Sequence, residues 1–351
     1  MVVDEAEALY KGVVRRRILL TTILASALAA SILYSIHAGL YKYSFRSILD
    51  ALRGAGSPSE VLVIRDIRLP RIIAAVVVGA GMSVAGAITQ CVLENPLATP
   101  FTLGVAHGAM FGAALAIVGF GFGEVSSFKI IVNNPYIVVA SAFTGAVLGV
   151  SIMLILAGVR GLTPESMILA GIALSFLFTA ATMVIQYFAS ELELASIVYW
   201  TFGDLGRPYW RDDLIMSIVV AASIAYYASR AWDYNVLLQG EDTARSLGVN
   251  VKILRLAGVY IAALVTAVCV SFVGIIGFIG LVCPHACRLL IGSDYRYLIP
   301  SSALMGSLLL TLSDTLARTI MSPITLPVGI VIAFIGVPMF IYLLSKLGVQ
   351  R

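Results

Sequence analysis

The chain has 351 residues, of which 60% are hydrophobic and only 12% charged, with a formal net charge of +4. Soluble domains carry about 25% charged residues, and a chain this apolar has too few charges to cover its surface in water. The cations are scattered rather than gathered on one helix face, so no nucleic-acid interface is expected.

A bilayer resolves the excess of apolar surface, since lipid tolerates an apolar exterior and each helical span needs about 20 apolar residues. In chain order such runs fall at 18–38, 72–92, 102–122, 136–158, 166–188, 212–230, 254–273, 276–292, 298–318 and 327–345. The eighth is short and close to the seventh. The pattern predicts an all-α polytopic membrane protein with about ten transmembrane helices. No Pro/Ser linker divides it, so residues 1–351 read as one transmembrane domain. Arg15, Arg16 and Arg17 ahead of Ile18-Leu19-Leu20 resemble a twin-arginine export signal, with Ala25-Ser26-Ala27 as a cleavage site. The polytopic chain that follows favours a cytoplasmic basic anchor over residues 1–17 instead.

Lys11, Arg15, Arg16 and Arg17 place the N-terminus in the cytoplasm, and ten spans return Lys346 and Arg351 to that side of the cell membrane. Of the 23 Lys and Arg residues, 13 then lie inside and 10 outside. The outer excess is Lys42, Arg46, Arg53, Arg65, Arg68 and Arg71, between the first two spans, which implies a role for external charge.

Within the spans, Gly104, Gly108 and Gly112 recur at every fourth residue and Gly145 pairs with Gly149, a spacing that lets backbones approach closely in lipid. A shift of 188 residues sets Ser83, Gly86, Ile88, Leu93, Pro96, Ala98 and Gly104 on Ser271, Gly274, Ile276, Leu281, Pro284, Ala286 and Gly292, 7 identities in 22 positions. This maps the second span on the seventh in the opposite sense, as in the inverted repeats of transporters.

Gly-Lys occurs nowhere, so there is no G-x-x-x-x-G-K-[ST] phosphate loop. The histidines are His37, His107 and His285, without an H-E-x-x-H pair. Neither bond chemistry nor a cofactor is expected. Cys283-Pro284-His285 with Cys287 resembles an intramembrane metal motif, weighed against a helix start in which two cysteines pack as small apolar residues. The four cysteines, Cys91 and Cys269 included, lie in or beside apolar runs and imply no loop disulfides. An ion-coupled secondary transporter is the alternative of another class, and it needs an intramembrane acid. Asp314 is the best case, but Arg318 at i+4 is its expected partner.

Two polar sets remain. Arg68, Arg71 and Arg318 lie at the outer ends of spans. Gly240 to Val249, within a cytoplasmic region at 235–253, reads as a short amphipathic helix. Glu241 and Asp242 suit its first turn, Gly248 its C-terminal cap, and Ala244, Leu247 and Val249 an apolar face. By polarity alone, Ser175, Thr179, Thr182 and Gln186 on the fifth span are candidate pathway residues beside Gln90.

Eight ordered blocks carry a family resemblance: RLPR at 68–71, GAITQCVLENPLATPFTLGV at 86–105, ILAGIAL at 168–174, YWTFGDL at 199–205, ARSLGV at 244–249, GFIGLVCPH at 277–285, SDTLAR at 313–318 and LPVGIVIAFIGVPMF at 326–340. Over roughly residues 60–346 the chain resembles the FecCD permeases of ABC importers for iron-siderophores, haem and cobalamin. The resemblance implies a type II importer fold and a permease dimer around a central pathway, a homodimer being the simplest case. It also implies a separate ABC ATPase dimer and an extracytoplasmic substrate-binding protein. In relatives, arginines of RLPR and DTLAR pair with glutamates of that binding protein, which by match gives Arg68, Arg71 and Arg318. The segment holding Gly240, Glu241, Ala244, Arg245, Leu247 and Gly248 matches the region that contacts the ATPase. Cys283 departs from the family, which has an apolar residue there.

Overall fold

A computed structural model describes residues 2–39, 43–119, 124–126, 129–131 and 135–347 of the chain. The helices are α1 (Val2–His37), α2 (Phe45–Leu52), α3 (Pro58–Val61), α4 (Leu69–Val92), α5 (Val105–Gly119), α6 (Pro135–Gly158), α7 (Pro164–Phe188) and α8 (Glu191–Thr201). They continue with α9 (Trp210–Ser229), α10 (Ala231–Leu237), α11 (Glu241–Ser246), α12 (Val251–Val273), α13 (Ile279–Ile291), α14 (Tyr295–Thr319) and α15 (Val328–Leu347). A π-helical stretch, Leu62–Arg68, joins α3 to α4.

Each apolar run has one helix: α1, α4, α5, α6, α7, α9, α12, α13, α14 and α15, in order. The eighth is indeed short, and the left-handed Gly274 (φ +80°) and extended backbone separate it from α12. Helix α1 runs unbroken through the twin-arginine stretch, and Arg17 bonds to Asp294 and the Ile291 carbonyl, so this segment is built into the bundle. A small antiparallel ribbon, Glu124–Ser126 with Lys129–Ile131, is the one β feature among the described residues. The last residues of the run at 102–122, together with Lys42 and Arg351, lie outside the described residues.

Helix α4 is the hub. It is apolar on every side, and such a helix belongs inside a bundle rather than on its surface. It is buried on successive faces by α14, α13, α12 and α9. Lipid gives helices no hydrophobic reason to associate, so close van der Waals contact must do it. Glycines permit this contact. A Cβ on Gly79 would strike the Gly306 carbonyl of α14, and one on Gly86 would strike the Gly280 carbonyl of α13. Gly108 and Gly112 of α5 meet Gly145 and Ser141 of α6 in the same way. Gly104 serves another purpose, since with φ +88° it caps the turn Pro100–Leu103 before α5.

The 188-residue offset is not a structural register. Ser83, Gly86 and Ile88 lie within α4, whereas Ser271 is near the end of α12 and Gly274 and Ile276 are in the link beyond it. Pro96 is in a loop and Pro284 inside α13. Gly86 lies inside a helix at a close crossing, whereas Gly274 lies in a link and combines a positive φ with close approach to the Trp200 carbonyl.

Gly86→Ala is expected to lower the detergent-solubilised melting temperature, by a destabilisation of about 1–3 kcal/mol for overpacking. Gly12→Ala, exposed in α1 with open space around it, should leave the melting temperature equal or slightly higher.

Candidate functional site at the two ends of the bundle

The start of α4, the end of α14 and the end of α1 meet at one end of the bundle. Here Arg71 lies 2.8 Å from Asp314 Oδ1 and 3.2 Å from Asp204, while Arg318 lies 3.0 Å from Asp314 Oδ2. Arg318 also donates to Ser35 Oγ at 2.7 Å and to the Ala38 carbonyl at 3.2 Å. Arg68 donates to the Ile36 carbonyl at 2.6 Å and packs on the Tyr43 ring. Asp314, 1% exposed, is therefore a buried anion shared by two guanidinium groups. Ionised partners make these hydrogen bonds strong, and removing the shared anion would strand two buried cations.

Arg68, Arg71 and Arg318 thus come together, and Arg318 has the Asp314 partner that the i+4 spacing suggests. Their side chains are turned inward. Outward beside them stand Arg46, Arg53 and Arg65, all exposed, together with the exposed Asp66 and the half-buried Asp50 and Glu60; Arg46 lies 4.0 Å from Asp50. Asp204 completes the group from the loop between α8 and α9. Its backbone N–H donates to the Val273 carbonyl, which pins this loop to the end of α12. A cavity of 350 Å³ opens next to it, lined by Trp200, Asp204, Arg207, Tyr209, Asp212 and neighbours.

At the opposite end lies α11. Gly240, at φ +105°, precedes it, and Gly248, at φ +84°, follows it. The Val249 N–H donates to the Ala244 carbonyl and the Gly248 N–H to the Arg245 carbonyl, the paired bonds of a Schellman cap. Ala244 is buried and Val249 packs against the core, but Leu247 is 67% exposed, so the expected apolar face holds for two of its three residues. Leu247 is the residue that caps α11 and lies beyond its last helical turn. Ala244 anchors the helix and Leu247 projects from its end; Leu238 and Ile253 in the same region of the chain are exposed as well. Glu241 binds Arg245 at i+4, and Arg255 of α12 reaches both Glu241 and Glu94.

A second charged cluster braces this end. Asp294 accepts from Arg17, Asn235 and Arg296 and so ties α1, α10 and α14 together. Burial raises the Asp294 carboxyl, but the bonds from Arg296 and Asn235 outweigh it and hold it at about 2. Deeper in, Arg288 of α13 donates to Gln90 of α4 and to Tyr295.

On α7, Ser175, Thr179 and Thr182 donate to the carbonyls of Gly171, Ser175 and Phe178 in their own helix. Thr182 is fully buried, while Ser175, Thr179 and Gln186 are half-buried. The open face of α7 is apolar, with Phe176, Leu177, Met183, Val184 and Tyr187. Cys283 and Cys287 are buried free thiols one turn apart, and no group of three metal-ligating side chains occurs among the described residues.

Arg255 and Arg288, each a lone arginine in an apolar run, are as strong a sequence signal as an intramembrane acid. Asp204 lies within the YWTFGDL block, where no role could be read for it.

This architecture defines a polytopic helical membrane protein of the importer-permease type. The FecCD transport family model matches residues 27–346, and the chain belongs to that family. A Methanocaldococcus jannaschii ABC transporter permease is 54% identical over 339 residues, covering 96% of this chain and 97% of the relative. The Bacillus subtilis iron(3+)-hydroxamate import permease FhuG is 36% identical over 318 residues, with 89% and 92% covered. A solved inward-facing ABC transporter of metal-chelate type aligns with a TM-score of 0.82 at 30% identity, over 93% of this chain and 98% of that one.

Asp314→Ala is expected to destabilise the protein by about 3–5 kcal/mol, as for a broken buried ion pair. Arg46→Ala, whose side chain is 93% exposed, should change stability by less than about 0.5 kcal/mol. Melting curves in one detergent compare the two. For Asp294 the folded carboxyl titrates below its unfolded value of about 3.9. Its stabilising contribution is present above that value and is lost as the pH falls towards about 2. The gap in melting temperature between the protein and Asp294→Asn should therefore be constant from pH 7 to about 5 and shrink below about 4.

Proposed function

We propose that this chain is the membrane-spanning permease subunit of a binding-protein-dependent ABC importer that carries an iron chelate, or a haem- or cobalamin-like ligand, inward. The observation that carries this reading is the family match over nearly the whole chain, combined with two differently built polar ends joined by apolar helices. The hydroxamate import permease and the metal-chelate transporter support the substrate class. ATP hydrolysis belongs to a partner that α11 contacts through Leu247, and the permease itself catalyses no bond chemistry.

In this reading both termini are cytoplasmic and the protein sits in the cell membrane. The Arg71 end faces outward and receives the binding protein. Arg68, Arg71 and Arg318 mark the docking face. Because Asp314 and Asp204 hold two of them, the exposed Arg53 and Arg65 are the cationic contacts offered to an acidic partner, amid Asp50, Glu60 and Asp66. Two copies pair around the pathway. Helix α7 lines it, with Ser175, Thr179 and Gln186 at its edge and Thr182 packed behind. Movement of α11 then tilts the bundle so that the pathway opens to alternate sides.

The test is reconstitution in liposomes with an ABC ATPase and a binding protein, following labelled ferric hydroxamate with ATP inside. Uptake is expected to require both partners and ATP. Joint reversal of Arg53 and Arg65 to Glu should slow binding-protein association by about tenfold at low salt, an effect that fades at high salt. Uptake driven by an ion gradient alone, without ATP or partners, would refute the importer reading.

A further inference from the structure

Three non-glycine residues among those described have a left-handed backbone: Glu94 (φ +50°), Leu162 (φ +59°) and Phe278 (φ +64°). Side chains with a Cβ seldom adopt this conformation, and where they do the surroundings must hold them there. Glu94 lies in the link that follows α4, and Leu162 in the link that follows α6. These links are far apart in sequence, yet one side chain grips both.

That side chain is Arg255, in the first turns of α12 and 4% exposed. Its Nε donates to the Val92 carbonyl at 2.9 Å, its Nη1 to the Leu162 carbonyl at 3.4 Å, and its Nη2 to Glu94 Oε1 at 3.0 Å. The same Nη2 lies 3.6 Å from Glu241 Oε2, in the first residue of α11. Guanidinium stays charged at any physiological pH and offers its donors in a rigid planar fork. A buried fork with four acceptors on three segments ties them together, because moving one acceptor leaves a buried donor unpaired unless the others follow.

The geometry points to Arg255 as the positioning residue that couples α11 to the strained links at 93–99 and 159–163. A displacement of α11 is passed to both links at once. Glu241 is the adjustable contact, since its carboxylate is divided between Arg245 at the surface and Arg255 within. When α11 moves, Glu241 leaves Arg255 or draws it along, and the support of Glu94 and Leu162 changes with it. This rests on reading α11 as the ATPase contact. The clamp on the two links stands on geometry alone.

The experiment has two arms. In the first, hydrogen exchange is followed on the detergent-solubilised permease. Arg255→Gln should speed exchange at amides of both 93–99 and 159–163 by about tenfold, with the ends of α7 and α9 unchanged. Arg255→Lys, which keeps the charge but not the fork, should loosen both links less. Loosening of only one link, or of neither, overturns the clamp. In the second, the complex with ATPase and binding protein is reconstituted, and ATP hydrolysis and ferric hydroxamate uptake are measured on the same vesicles. Arg255→Gln and Glu241→Gln should each lower uptake per ATP by about tenfold while hydrolysis persists. A parallel fall of hydrolysis and uptake would make Arg255 an assembly residue only and overturn the coupling. Wild-type uptake that ignores ATP would refute the importer reading and the α11 part of the proposal, while the exchange arm still decides the clamp.

Discussion

Everything in this fold depends on α4 being enclosed by other helices at backbone-contact distance. A helix in lipid gains little by exchanging lipid tails for side chains, so the gain must come from close and extensive contact. Gly79 against Gly306 and Gly86 against Gly280 supply it along one stripe of α4, two turns apart and against two different helices. The same device joins α5 to α6 through Gly108, Gly112 and Gly145. These crossings are backbone on backbone, so they cannot relax by changing a rotamer. The hub therefore behaves as a stiff unit, and motion must be taken up where contacts are made by side chains or by loops.

Such places are the two ends. At one, Asp314 holds Arg71 and Arg318, and Asp204 adds the loop before α9. At the other, Asp294 braces α1, α10 and α14, and Arg255 gathers the links after α4 and α6. Buried charges are a poor source of net stability, because desolvation offsets most of the attraction. They are well suited to fixing register, since a misplaced partner leaves a buried charge alone. The apolar middle sets how tightly the helices pack, and the charged ends set which helix ends belong together.

The apolar middle is what a sequence displays most clearly. A span must be continuously apolar over its length, so all ten runs could be read, including the short one that became α13. Glycine spacing likewise disclosed the crossing of α5 and α6, because close approach needs small residues at helical period. The Gly240 and Gly248 punctuation located α11, but Leu247 falls on the cap rather than within the helix and is exposed, while Ala244 and Val249 pack inward. The arginines were harder. Arg318 and Asp314 are neighbours on one helix and legible as such. Arg71 with Asp204, and Arg255 with Glu94 and Leu162, are pairings across more than ninety residues, the last of them to a carbonyl oxygen such as every residue carries. Nothing in a local pattern distinguishes the carbonyl that will be used. The 188-residue offset sets most of α4 on α12 but runs past the end of α12, because identity of small residues does not fix where in a helix they sit.

Helix α4 links the two ends. Its first turn carries Arg71, and its last residue, Val92, gives its carbonyl to Arg255. With 24 residues it spans about 36 Å, roughly the thickness of a bilayer with part of its headgroups. Since its glycine crossings resist sliding, a force on one end is delivered to the other mainly as a tilt of α4 with its partners α13 and α14. The Arg71 cluster moves with that tilt through Asp314 on α14, and the links at the other end move through Arg255. A binding partner at one end and an ATPase at the other would then act on the same rigid lever, without any continuous wire of polar side chains between them.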